Sequence, residues 1–564
     1  MYIQRNKKMK AARMNMKRTV NGQEINSFGQ QYAIDDVNPL GQSLGSLVYA
    51  QNVEWLRTTS GTFPLQTMRG SELLCDTDCP VLGASFFSVS GVEYPVWLDN
   101  LGNLTYRTGV VNTLIEAGLT TTKETEFVPY NDAQPVLFGC NETDGLFKVD
   151  QTFGYFNIDS NPTSCICYSG TSKRIFRSFG NVVEWSDQQT SAGTSDLETF
   201  GASSSTIPGI NDGTTVTKIT DDGKIVWFWM DTGIWGILNP SDDATDWYIP
   251  KANSDVGTIS KKTIQYAKYQ NVPGYIFLAT DKTLRFFSPQ LESNTGTVPI
   301  VKDLGSITIS NAFSSILKRI PDAYLDLCVG QYVDSKYYLN FVSETGTTLD
   351  TCIVLDMEKI DPNGSPFWSY VTDMDNSHYI QSANKNIYSV HKDGWISRIL
   401  VDGVYTHQRP ERSDVAYSDD LVADGIRTIG IPWRFYLYFY RYSETLANLF
   451  DTIVHWKSGG FWSINMMVSA VIEGGTITDP KDGADLTKEI SPLNTGNSFY
   501  DISHFDVDTY SGGSSFSYQN TDTKLIGNFF SYGFENLNRG EWATIYSIQP
   551  KLQLMKSSSM AQNI

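Results

Sequence analysis

Apolar and polar residues alternate along most of the first 400 positions, and the alternating runs come in pairs joined by short turns. Seven hairpin-like units stand out. Residues 92–109 turn at Asp99-Asn100, 135–150 at Asn141-Glu142-Thr143-Asp144-Gly145, and 173–187 at Gly180-Asn181. Residues 224–238 turn at Asp231-Thr232-Gly233, and 275–287 at Asp281-Lys282. Residues 336–356 carry a longer loop at 343–350, and 386–400 turn at Lys392-Asp393-Gly394. The units recur at a spacing of about 40 to 60 residues. A hairpin with one apolar face cannot bury that face alone, so this period predicts an all-β protein built on a β-propeller of about six to eight blades. Apolar residues do not recur at three and four, which argues against a helical repeat.

Composition agrees. Aromatic residues make up 13% and charged residues only 19%, while Gly, Ser, Thr, Asn and Asp fill the gaps as turns demand. A chain of 564 residues is long enough for a large core and for more than one domain. The expected organisation is a basic N-terminal arm and extended segment over 1–49, a propeller over 50–400, and a β-rich region over 401–564. No apolar run approaches the roughly 18 residues of a membrane span, and no signal-peptide segment opens the chain. Insertion into a membrane by this chain alone is therefore not expected.

Charge is uneven. Residues 1–18 hold Arg5, Lys7, Lys8, Lys10, Arg13, Lys17 and Arg18 and no acid, so subtracting that +7 from the net −19 leaves −26 on the remainder. Such a body repels nucleic acid, but it would make a non-adhesive wall for DNA passing by. The arm reads either as a docking element for an acidic neighbour or nucleic acid, or as a solvated or cleavable terminus.

Candidate chemistry is sparse. Seven cysteines, Cys75, Cys79, Cys140, Cys165, Cys167, Cys328 and Cys352, are an odd number, which argues against a fully paired disulfide framework. Cys75-x3-Cys79 with Cys165-x-Cys167 has poor spacing for zinc; buried or loop thiols are the simpler reading. Gly41-Gln42-Ser43-Leu44-Gly45 matches a nucleophile elbow in letters, but Asp35, Asp36, Asn38 and Pro39 stand where a strand is needed. His378, His391, His407, His455 and His504 lack the spacing of a helical metal pair. The stretch from Asp506 begins like a calcium loop, but Ser517 occupies the position of the bidentate acid. The acid pairs Asp221-Asp222, Asp242-Asp243 and Asp419-Asp420 read as turn residues. No catalytic residue, metal or cofactor is assigned, and the chain is expected not to be an enzyme.

Several segments carry a resemblance. Ala50-Gln51-Asn52-Val53-Glu54, leading to Gly61-Thr62-Phe63-Pro64-Leu65-Gln66-Thr67-Met68-Arg69-Gly70, resembles the opening of bacteriophage tail propeller proteins. Arg174-Ile175-Phe176-Arg177-Ser178-Phe179-Gly180-Asn181-Val182-Val183-Glu184-Trp185-Ser186-Asp187 is similar to one of their blades, and 224–236 follows at the matching distance. Lys336-Tyr337-Tyr338-Leu339-Asn340, Ile353-Val354-Leu355-Asp356-Met357 and Phe367-Trp368-Ser369 resemble another. The likeness spans about 50–400, with weaker echoes near 524–548. It implies the nozzle, or packaged-DNA stabilisation protein, of a short-tailed phage: a non-enzymatic virion subunit, assembled in the host cytoplasm, in a ring of typically six. Its implied partners are a tail adaptor, tail fibre or tip proteins, and double-stranded DNA that passes without specific binding.

The rest of the chain also reads as β, with runs at 433–442, 452–465 and 541–554. It is expected to help close the propeller with an N-terminal strand and to form a tip or platform. The alternative reading is a propeller-type glycan-binding protein or glycoside hydrolase, for which repeated S-x-D-x-G-x-x-W boxes would be expected. Only the partial match Asp231-Thr232-Gly233-Ile234-Trp235 is found.

Overall fold

The computed structural model describes residues 19–554, apart from 32–46, 57–62, 293–299, 302–305, 412–420, 442–446, 473–483, 491–516, 537–542 and shorter gaps. The propeller has seven blades, each a four-stranded antiparallel unit. Blade one is Val81–Val89, Val92–Asp99, Leu104–Thr108 and Val111–Glu116; blade two runs from Glu126–Tyr130 to Tyr155–Asp159, and blade three from Cys165–Ser169 to Phe200–Thr206. Blade four starts at Val216–Asp221, blade five at Gln265–Tyr269 and blade six at Val329–Val333. The seven sequence hairpins are the second and third strands of the seven blades. These strands are covered on both faces by neighbouring blades, which makes them the most apolar part of each unit.

Blade four shows how two-residue periodicity builds the stack. In its second strand, Val226–Met230, all five residues are buried. Val226, Phe228 and Met230 pack toward blade three with Phe176 and Val183. Trp227 and Trp229 point the other way, onto Tyr275, Phe277 and Phe287 of blade five. Successive strand residues point to opposite faces, so one strand serves two interfaces. Trp185, Trp235 and Trp368 are likewise buried.

Many acidic residues are spent on turns. Asp99 Oδ1 accepts hydrogen bonds from the backbone N–H groups of Leu101 and Asn103 at 2.8 and 2.9 Å. Asp150, Asp222 and Asp361 cap their own turns in the same way. A short carboxylate can satisfy its own loop's amides, which is why Asp is favoured there.

Blade seven closes the ring. Asn376–Gln381, Ile387–His391 and Trp395–Ile399 receive Ser71–Asp76 as their fourth strand, with Ser71 opposite Ile399 and Cys75 opposite Ile396. Asn376–Gln381 then lies against Val81–Val89 of blade one. The closing strand comes from the segment before blade one. Residues beyond 401 instead continue blade seven outward, through Thr406–Pro410, Ile426–Gly430 and Leu421–Ala423. Gly70 makes this crossing possible: a Cβ there would run into the carbonyl oxygen of Thr406.

A β-sandwich grows from blade six. Beyond Pro366–Val371 the sheet continues without a break into Leu47–Gln51, Trp433–Leu437, Phe529–Asn536, Ile464–Val471 and Leu486–Ile490. A second sheet of Val53–Trp55, Leu65–Thr67, Ala543–Leu554, Ala447–Ser458 and Ser517–Gly527 faces it. Alternate residues fill the space between the two: Trp433, Phe435 and Leu437, then Phe530, Tyr532 and Phe534, against Trp55, Leu449, Val454 and Trp456. Ile25 and Phe28 of the N-terminal segment complete this core.

Candidate functional site

Three places bear on function: the propeller axis, the joint between the lobes, and the residues singled out in the sequence. The axis is lined by first strands and the loops before them. Glu124 and Glu126 of blade two, Lys218 of blade four, Lys261 and Lys262 before blade five, Gln331 of blade six and His378 of blade seven surround a cavity of about 180 Å³. Lys262 Nζ lies 2.6 Å from Glu124 Oε1, and Lys261 Nζ 3.9 Å from Oε2 of the same carboxylate. Lys218 pairs with Glu126. Lys262 also reaches the carbonyl of Ser377 at 3.3 Å.

Burial alone would raise the Glu124 pKa, but Lys262, His378 and Lys261 together outweigh it and bring it down to about 2. Burial and the nearby lysines push His378 down to about 3, so its imidazole is neutral at pH 7. Lys218 is held above its ordinary value because the attraction of Glu126 overcomes burial. The axis is therefore a cross-braced plug. A duplex, whose major groove alone is about 12 Å wide, does not fit through it.

Asn52 occupies the joint. The chain leaves one sandwich sheet at Gln51 and enters the other at Val53, and the corner between them has φ of 54°. Asn tolerates this left-handed region better than most residues. Its backbone N–H donates to Tyr370 and its carbonyl accepts from Met68, at 2.8 and 2.9 Å. Its Nδ2 donates to Thr372 Oγ1 and the Pro432 carbonyl at 2.7 and 2.6 Å, and its Oδ1 accepts from the Thr372 N–H at 2.9 Å. Blade six, the closing segment and the sandwich thus converge on one buried amide. Beside it Glu54 pairs with Lys336 and lies 3.6 Å from Arg69, which also holds Asp334 and Asp402, each at 2.9 Å.

The basic residues Arg5, Lys7, Lys8, Lys10, Arg13, Lys17 and Arg18, which the sequence reading offers as a docking element, lie outside the described residues, as do Ser43, Asp419-Asp420, His504 and Asp506. Among the described residues no group of three His, Cys, Asp or Glu side chains is placed to hold a metal ion. No disulfide joins any of the seven cysteines, of which Cys79 and Cys167 are half-buried and the others buried. Burial pushes the Cys165 thiol up to about 12. Asp222 caps a turn and also accepts the indole N–H of Trp227 at 3.0 Å. Asn52 appeared in the sequence only as one letter of a motif. Of the axial residues the sequence singled out only His378, and without its partners; Glu124, Glu126, Lys218, Lys261 and Lys262 were missed, because only blade register brings them together.

No protein-family model and no curated protein matches the chain. Solved structures similar to it include Raptor of Chaetomium thermophilum, at 8% identity and TM-score 0.39, over 60% of this chain and 30% of that one. The chain thus spans under a third of the Raptor chain's length. The computationally designed Ika8 protein is similar at 10% identity and TM-score 0.31, over 58% and 98% of the two chains. The C-terminal WD40 domain of Sif2 is similar at 12% identity and TM-score 0.35, over 59% and 99%.

Proposed function

We propose that this chain is a structural, non-enzymatic subunit of a bacteriophage tail nozzle, one copy in a ring, hexameric as the family resemblance implies, that extends the tail channel, retains packaged DNA and lets it leave.

 The observation that carries this reading is the sheet shared by blade six and the sandwich, which makes the chain a two-lobed block with a plugged axis. A block of this kind acts through surfaces between copies and not through its own bore. The segments that resemble the nozzle family support it by their placement. Ala50-Gln51-Asn52-Val53-Glu54 forms the joint, 174–187 is the central hairpin of blade three, and the segments at 336–340, 353–357 and 367–369 are three successive strands of blade six. A body of −26 suits a wall along which DNA slides, because cationic walls would trap the duplex by counterion release. The arm with Arg5, Lys7, Lys8, Lys10, Arg13, Lys17 and Arg18 is the element this reading assigns to docking on an adjoining tail component.

Negative-stain imaging of the purified chain, alone and mixed with neighbouring tail proteins, tests the reading. Rings with a central opening wide enough for a duplex are the expected result. A chain that stays monomeric with every tail component and cleaves glycans would overturn it in favour of the hydrolase alternative.

A further inference from the structure

The outer strand of a propeller blade presents a row of unpaired backbone groups, and folded proteins guard such edges by charge, by shortness or by a covering element. The sheets of blades six and seven run on into further strands, which cover their edges. Blades four and five end in Lys251–Asn253 and Ile307–Thr308, of three and two residues. Blade three ends in Phe200–Thr206, which is mostly small and polar, and blade two in Tyr155–Asp159, where Lys148 lies over the Phe156 ring.

Blade one is unguarded. Among the described residues its outer strand, Val111–Glu116, has one sheet neighbour, Leu104–Thr108, and residues 108–115 carry no charge. Val110 is 86% exposed, Val111 58% and Leu114 56%. Carrying the pairing of Val96 with Tyr106 on by four residues sets Val92, also more than half exposed, level with Val110. Single exposed apolar residues are ordinary, but a cluster on one rim marks an interaction surface. The sandwich exposes a smaller apolar spot. Among the described residues beyond 400, Ile472 and Ile526 are its exposed large apolar side chains. The backbone brings them together: a Cβ on Gly527 would stand 3.0 Å from the Val471 carbonyl oxygen.

We infer that Val92, Val110, Val111 and Leu114 dock on a second copy of this chain, around Ile472 and Ile526 of its sandwich, in a head-to-tail contact; this rests on the ring of the nozzle reading. A closed ring needs two unlike patches on different sides of each subunit. Blade one stands two places round the propeller from blade six, which carries the sandwich. Blade one against blade one would close a dimer and leave the ring unmade. Charge selects the occupant. Outside the arm the chain carries −26, so two copies repel each other over most of their surface, and an uncharged rim is where that repulsion is least. Nucleic acid gains nothing there, because its phosphates are held by cations.

Sedimentation velocity of the full chain over a concentration series, with urea midpoints as the check on folding, tests the contact. Val111→Asp/Leu114→Asp changes two exposed side chains, so the fold should stand, while the concentration needed for rings should rise roughly tenfold or more. Leu101→Asp, at the opposite end of the same blade, should assemble like the unaltered chain. Ile526→Lys should recover part of the loss caused by Val111→Asp, since opposite charges then meet across the contact. Undiminished rings from the double variant overturn the inference and leave the ring standing. So does a Val111→Asp defect that Ile526→Lys does not relieve, or dimers in place of rings. If the unaltered chain forms no ring, alone or with tail components, the nozzle reading falls and this contact with it. The unaltered chain therefore tells the two failures apart.

Discussion

Asn52 and Thr372 exchange two hydrogen bonds: the Thr372 N–H donates to Asn52 Oδ1 at 2.9 Å, and Asn52 Nδ2 donates to Thr372 Oγ1 at 2.7 Å. The exchange ties the exit of blade six to the corner where the chain passes between the sandwich sheets. It also explains why an asparagine stands there. A side chain is needed that both donates and accepts, on a residue that tolerates positive φ.

Asn52→Ala removes these bonds and retains a Cβ at positive φ, so it is expected to cost about 3 kcal/mol or more. Asn52→Gly relieves the backbone but not the hydrogen bonds and should fall in between. Urea denaturation followed by tryptophan fluorescence would rank the two. Equal stability of Asn52→Ala and the unaltered chain would show that the joint is not held by this amide.

Trp368 is completely buried, packs on Phe313 and Tyr370, and donates its indole N–H to the Gln31 carbonyl at 2.8 Å. Trp368→Ala should cost about 3–5 kcal/mol. Leu101→Ser, at a position 66% exposed, should stay within about 0.5 kcal/mol. Matched urea midpoints for the two variants would contradict the packing described.

Acid should loosen the axial plug in two stages. His378 is depressed from 6.5 to about 3, so the unfolded chain binds the extra proton as pH falls below about 6.5. Stability then declines with falling pH toward 3, because the unfolded state takes up more protons. Glu124, lowered from 4.5 to about 2, contributes stability that is present above its unfolded value and lost as pH falls from about 4.5 toward 2. A pH series of urea midpoints should show a shallower slope between 6.5 and 4.5 for His378→Gln than for the unaltered chain. Superimposable slopes would remove His378 from the acid response.

Under the nozzle reading, deleting residues 1–18 should lower incorporation into tails, most at low salt, where the arm's charge is least screened. Incorporation counted at two salt concentrations decides the point, and undiminished incorporation at both rules out docking by the arm. The truncated body should not shift DNA in a gel. Tight, salt-sensitive DNA binding by that body would falsify the passive-conduit idea.

The propeller was legible because the second and third strands of each blade are covered on both sides, so runs such as Val226-Trp227-Phe228-Trp229-Met230 declare themselves. First strands were harder to see, since they carry the axial charges: Glu126, Lys218 and His378 interrupt the apolar pattern. The closing strand, Ser71–Asp76, has its partner at Trp395–Ile399, and no local signal reports a pairing across that distance. Leu486–Ile490, outside the runs expected at 433–442, 452–465 and 541–554, forms an edge strand on Ile464–Val471. The partner strand, not local propensity, decided that segment.

The sheet that runs from blade six into the sandwich narrows at the lobe boundary to one parallel pair, Gln51 with Tyr370. Torque applied to the outer lobe is concentrated at that pair and at the side chains that brace it. The bonds of Asn52 to Thr372 and Pro432 are the shortest further route by which the load reaches the propeller.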